Sequence, residues 1–222
     1  LKTKFFIDGK VMGKLNDLHI RSFNLKTLTN TAIIANADIK GLPNVANLLI
    51  NLDLKKLVTG KQDLDRLIDK SMLPEGMDIQ YPNAISLVGT FKGGFTGFDT
   101  NLSLVTEKGN AIVKGFLNMA KNDTTYDATV AIDNFNIGHL LKQDSILGLI
   151  SVEAQVKGTG LNPKTMVADI QGKVNKMEAM GYAYHAIDLN MKANQGDIAG
   201  TINSIDPNIK FNVDMAANMQ AH

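Results

Sequence analysis

The chain has 222 residues and a mass of 24.1 kDa, long enough for one large all-β domain or two ordinary ones with a substantial core. Its 23 basic and 22 acidic residues leave a formal net charge of +1, which removes any broad electrostatic claim on nucleic acid or an anionic membrane. The absence of cysteine removes disulfides, thiolate metal sites and a cysteine nucleophile together, while 19 glycines without a single tryptophan fit a sheet protein full of turns.

The sequence opens on Leu1, and no basic segment, apolar run and cleavage site begin it. No apolar run reaches the roughly 18 residues needed to span a bilayer. We therefore expect a piece of something longer, with any signal or anchor lying outside it.

In chain order, Phe5 to Phe23 is broken by Gly9 and Gly13 and reads as two strands and a turn. Ile33, Ala35, Ala37 and Ile39 alternate with Ile34, Asn36, Asp38 and Lys40, which marks a strand closed by Gly41-Leu42-Pro43. Residues 45–57 fit two templates: Val45, Leu48, Leu49 and Leu52 match a helical face, and Leu48, Ile50, Leu52 and Leu54 match a strand. A later stretch, Tyr126, Ala128, Val130 and Ile132, repeats the strand pattern and decides for strand. Gln62 to Ser71 is the convincing helix, with Leu64, Leu67 and Ile68 on one face and Pro74 beyond it. Its counterpart is a shorter turn around His139 to Gln143.

Strands are expected next at 84–93, at Leu102 to Thr106 and at Ala111 to Met119, with Gly93 to Gly97 as a tight connection. The stretch Ile150 to Gly160 is the plainest of all. Ile150, Val152, Ala154 and Val156 fall on one side of a two-residue period, and Ser151, Glu153, Gln155 and Lys157 on the other. Sixty-five residues earlier, Ile85 to Gly93 keeps the same Ile-Ser opening and Lys-Gly close. Alternation resumes at 165–174, at His185 to Met191, at Ile198 to Ile202 and at Ile209 to Met215. Turns recur at the spacing of a meandering sheet. The repeats cover about 45–120 and 124–195, and copies that cannot bury an apolar face alone can do so when joined into one long sheet. We expect a mainly β protein, a single elongated unit over 1–222, with one or two short helices.

Catalytic and metal chemistry find little support. The four histidines, at 19, 139, 185 and 222, have no partner at metal-ligand spacing. His185 and Asp188 lie on opposite faces of a regular strand, so they share a metal only across a bulge. Asp63 and Asp65 point apart on a helix and read as solvated residues favoured by its dipole. The Gly93 to Gly97 loop lacks the Lys-Ser or Lys-Thr of a phosphate loop. We expect no catalytic residue, no metal site and no cofactor. The dry faces remain open to two readings. One is the sealed core of a structural or adhesive module. The other is a wall softened by Gly89, Gly115, Gly172, Gly200, Met119, Met166, Met191 and Met215, suited to acyl chains.

Several phrases of the second copy carry a resemblance: Tyr126 to Ile132, Asn136-Ile137-Gly138-His139-Leu140-Leu141, Leu147-Gly148, Ser151 to Gly160, Gly181-Tyr182-Ala183-Tyr184 and Asp206-Pro207-Asn208. With the Leu42-Pro43 and Leu73-Pro74-Glu75-Gly76 turns, they resemble the AsmA-like and TamB-like proteins of Gram-negative envelopes. The resemblance implies a sheet curled lengthwise into a trough, a β-taco or β-groove, that holds phospholipid acyl chains. It implies a periplasmic location, membrane anchoring through a region outside this segment, and a role in phospholipid transport or outer-membrane assembly. An Omp85-type barrel partner would engage regions beyond this chain. On that reading Ile85, Leu87, Phe91, Val113, Leu117, Val130, Ile132, Val152, Val156, Ile170, Ile187 and Leu189 are the expected lipid-binding wall. About thirteen strands at roughly 4.8 Å spacing would extend about 60 Å. Exposed edges would favour edge-to-edge self-association of the fragment.

Overall fold

A computed structural model describes residues 5–68, 79–120, 123–162, 164–207 and 209–219. Most of them lie in thirteen strands: β1 (Phe6–Lys14), β2 (Asp17–Thr27), β3 (Thr31–Lys40), β4 (Leu49–Thr59), β5 (Ile85–Gly94), β6 (Gly97–Thr106), β7 (Gly109–Ala120), β8 (Asp123–Asn136), β9 (Leu147–Thr159), β10 (Val167–Ala179), β11 (Tyr182–Asn194), β12 (Asp197–Ile205) and β13 (Lys210–Asn218). Helix α1 (Lys61–Leu67) follows β4, and α2 (Ile137–Leu140) follows β8. The ambiguous stretch divides: Val45–Asn47 makes a single 3₁₀ turn and the strand starts at Leu49. The helix expected over 62–71 is α1, which ends at Leu67 with Ile68 as an extended C-cap, and residues 69–71 lie outside the described residues.

All thirteen strands form one antiparallel sheet in chain order, each paired with its neighbours in sequence, and the sheet does not close into a barrel. Short turns enforce this meander. Met180-Gly181 and Gln195-Gly196 place both central residues at positive φ, 52° and 76° in one and 52° and 95° in the other, the type I′ geometry whose twist matches that of the flanking strands.

Bulges bend the strands partway along their length. Extra residues fall between Ile20 and Phe23 in β2, between Leu54 and Leu57 in β4, between Ile132 and Phe135 in β8 and between Val174 and Lys176 in β10. Ser22 and Asn134 take positive φ of 52° and 47° within two of them, so these strands turn and twist locally. Both strands that lead into a helix carry a bulge.

One rim of the sheet is bound together by carboxylates. Asp63 of α1 accepts hydrogen bonds from the Thr29 and Asn30 amides at 3.1 and 2.8 Å and from the Thr31 hydroxyl at 2.8 Å, which fastens the β2–β3 turn. Glu107, in the β6–β7 turn, accepts from the Asn83 and Ala84 amides at 2.7 and 3.0 Å. Between these points residues 79–84 form a strap. The Gln80 amide donates to the Leu140 carbonyl at 2.8 Å and the Pro82 carbonyl accepts from the Lys61 amide at 2.8 Å, so the strap ties α2 to the start of α1.

Burial is sparse. Among the described residues the buried apolar ones are Ala35, Leu54, Phe135, Ala168, Ile187 and Ala193, five of them alanine or at a bulge. A single sheet without a second layer has no place to form the dry interior of a sandwich.

Candidate functional site

The two faces of the sheet differ as the alternation in sequence requires, and the register shows how far the difference extends. Residues directly opposite one another across a strand pair share a face. One transverse row runs Ala35, Leu54, Gly89, Leu102, Val113, Val130, Ala154, Gly172, Leu189, Ile202 and Val213, from β3 to β13. A neighbouring row runs Leu52, Phe91, Thr100, Gly115, Ala128, Val156, Ile170, Met191, Gly200 and Met215. A third passes through Leu57, Leu87, Leu104, Ala111, Ile132, Val152, Val174 and Ile187, and a fourth through Ile50, Gly93, Phe98, Leu117 and Tyr126. These rows make an apolar surface that crosses the sheet with little polar interruption.

All twelve expected wall residues lie on this face. Leu87, Ile132, Val152 and Ile187 share one row, Val113, Val130 and Leu189 another, Phe91, Val156 and Ile170 a third, and Leu117 the fourth, with Ile85 beside the rim. Ile187 is buried, Val113 is 37% exposed and the other ten are half-buried. Such side chains are packed by their neighbours along the sheet, and among the described residues no second layer lies above them. Phe91 and Phe98 stack on this face with ring centroids 5.2 Å apart. The face also includes Ile20, Phe23, Leu25, Leu52 and Leu54 from β2 and β4, which the choice of twelve left out although their alternation was visible in the sequence.

Comparison of the chain with protein-family models, with curated proteins and with solved structures finds no match in any of the three. The apolar face and its register are therefore the observations on which function rests.

Ionisable groups are used structurally. Asp63 is 1% exposed, which corrects the expectation that it is a solvated residue at a helix start. Its burial by itself would raise the pKa, but the hydrogen bonds from Asn30, Thr31 and Thr29 outweigh that and hold it down to about 2. Asp65 does face solvent, paired with Lys61 at 2.6 Å. Three of the four histidines, none with a partner at metal-ligand spacing in sequence, meet polar side chains in the fold. His19 Nδ1 lies 2.7 Å from Asp38, which also receives Arg21 at 2.6 Å, and the His19 and Arg21 hydrogen bonds keep the Asp38 carboxyl below its usual range. His185 meets Asp206 rather than Asp188: its amide donates to the buried Asp206 carboxylate at 2.8 Å, and Nδ1 lies 3.4 Å away. Asp206 thus fastens the β12–β13 end to β11, a role that the Asp-Pro turn did not disclose in sequence. Among the described residues no three His, Asp or Glu side chains gather as metal ligands.

The opposite face is largely polar, with Ile34, Val88, Val105, Ile112 and Phe116 exposed on it, and it is hollowed in several places. One cavity of about 630 Å³ spans β7 to β13, and another of about 710 Å³ spans β2 to β7 beside His19, Lys92 and Phe116.

Proposed function

We propose that this chain is a segment of a lipid-carrying groove in an AsmA-like or TamB-like protein of the Gram-negative periplasm, where it aids phospholipid transport or outer-membrane assembly. The observation that carries the reading is the apolar face, continuous in register from β2 to β13 and, among the described residues, without a second layer to cover it. Monomeric soluble proteins rarely leave so wide an apolar surface to water unless something apolar covers it.

The wall residues favour acyl chains over a folded partner. They are mostly aliphatic, with Gly115, Ala128, Ala154 and Gly172 between them. That surface offers few of the aromatic and arginine anchors that dominate protein interfaces. Each lipid methylene taken from water is worth about 0.8 kcal/mol, so a tail is held firmly in total and weakly at any one point. A wall of uniform chemistry then lets the tail move along the rows without a large barrier.

Native mass spectrometry of the purified chain, followed by lipid extraction, tests the reading directly. Co-purifying phospholipid in stoichiometric amounts is expected, and a photo-crosslinker at Val152 or Val156 should label lipid while one at Gln155, on the other face, should not. A ligand-free protein that also refuses fluorescent phospholipid would overturn the groove in favour of a structural module.

A further inference from the structure

The polar face carries an arrangement that lipid binding leaves unused. Thr129, Gln155, Gln171, Asn190 and Thr201 stand opposite one another on five adjacent strands, β8 to β12. They form one transverse row of uncharged hydrogen-bonding side chains along the cavity of about 630 Å³. On one side of the row Glu153, Lys173 and Asp188 alternate in sign, and on the other Asp127, Lys157, Asp169 and Lys192 do the same. Unlike charges stand opposite one another in register within each flanking row, and Lys192 lies 3.9 Å from Asp169. The row between them therefore offers hydrogen bonds in a field close to neutral. Gln171, Asn190 and Thr201 make no side-chain hydrogen bond among the described residues, while Gln155 donates to Asp127 at 3.2 Å.

We propose that this row binds a neutral, extended polyhydroxylated chain, a glycan, laid across the strands. Four properties of the site point to that chemistry. The backbone groups beneath are spent in the sheet ladders, so an extended peptide cannot add as a strand there. The near-neutral field offers nothing to a polyanion. The row itself has no apolar or aromatic anchor of the kind a protein interface is built around. Side-chain amides and hydroxyls both donate and accept, which is what vicinal hydroxyls and acetamido groups require. The strand spacing of about 4.8 Å is close to the length of one β-linked sugar ring, so each strand can address one sugar. The cavity volume falls in the range that holds a short oligomer.

The site lies on the face opposite the apolar rows, so its test is independent of lipid binding. The full chain would be titrated with chitohexaose and with cellohexaose and followed by NMR of backbone and side-chain amides, with polygalacturonate as the anionic comparison. Progressive shifts at β8 to β12, including the Gln171 and Asn190 side-chain amides, are expected for at least one neutral oligomer. The double variant Gln171→Ala, Asn190→Ala should weaken that binding about tenfold or more, about 1.4 kcal/mol, with its remaining spectrum and its lipid content unchanged. Three results would overturn the proposal: no shifts with either neutral oligomer at about 10 mM, shifts that persist in the double variant, or equal response to polygalacturonate.

Discussion

At the scale of single residues, Asp63 shows how a charge can be structural in a protein with almost no core. Its two carboxylate oxygens take three donors from the β2–β3 turn, and losing a charge-assisted set of this kind costs about 2 kcal/mol because the turn amides are then left without acceptors. Asp63→Asn should lower the denaturant midpoint accordingly, while Asp65→Asn, whose ion pair with Lys61 is exposed, should change stability by no more than about 0.5 kcal/mol. The pH dependence has a definite sign. The folded pKa of about 2 lies below the ordinary value of 3.8, so the unfolded chain takes up the proton first as the solution is acidified. The contribution is whole above about pH 4 and is lost as pH falls towards 2. Acid titration of unfolding should show that loss in the natural protein and not in Asp63→Asn. Glycines divide in the same physical terms. At Gly89 φ is +141° and an added Cβ would strike the Asn101 carbonyl, whereas at Gly172 the nearest atoms to such a Cβ stand 3.7 Å away. Gly89→Ala should therefore cost about 1 to 3 kcal/mol and Gly172→Ala about 1 kcal/mol or less in either direction, a contrast that parallel melting curves would expose. The sequence suggested that glycines on the dry face soften a wall, yet Gly89, Gly115 and Gly200 sit where a neighbouring backbone leaves no room, and Gly172 alone of these four fits the softer reading.

At the scale of elements, the strands were legible because period-two alternation is written into each of them, from Ile33 to Ile39 and from Ile150 to Lys157. Their number followed, as did α1, whereas α2 stands where the sequence suggested only a turn. The face of each expected wall residue also followed, since alternation fixes the side of the sheet once pairing is antiparallel. Bulges were not legible: Ser22 and Asn134 leave the alternation of their neighbours almost intact and only shift its phase by one residue. Ala186, between His185 and Ile187, likewise takes a positive φ of 52°, an irregularity to which the alternation gives no clue. The rim network escaped as well, because Asp63 with Thr29, Asn30 and Thr31 or Glu107 with Asn83 and Ala84 are contacts across tens of residues that carry no local signature. Its mechanical role is open to measurement. Glu107 receives both strap amides, and its carboxyl is held below the ordinary range: burial opposes ionisation, but the Asn83 and Ala84 amides outweigh it. Glu107→Ala should raise hydrogen exchange at Asn83 and Ala84 by an order of magnitude or more while β9 to β11 keep their protection. Unchanged exchange at those two amides would mean the strap is held from α1 and α2 alone.

At the scale of the whole molecule, the decisive feature is that contact runs along the chain and not across it: every strand packs on the strands before and after it, and among the helices α2 packs on β9. Stability is then close to a sum of neighbour terms, and apolar burial that a two-layer fold would obtain from a second sheet is left undone on one entire face. Something apolar covering that face would complete the burial, which gives ligand and fold a common cause. Gly172 offers a way to separate them. It lies in the middle of the row that joins Ala154 to Leu189, and an added Cβ would meet its nearest atoms at an ordinary contact distance of 3.7 Å, so Gly172→Trp would raise a ring on the apolar face without displacing backbone. Gln171→Trp places the same ring on the polar face one residue away. If lipid tails lie along the rows, the first variant should bind markedly less phospholipid than the second, with both melting near the natural protein, because a plug on a continuous surface removes the length available to a tail at no cost to strand pairing. Equal lipid content in the two variants would show that the apolar rows are not where the tails lie.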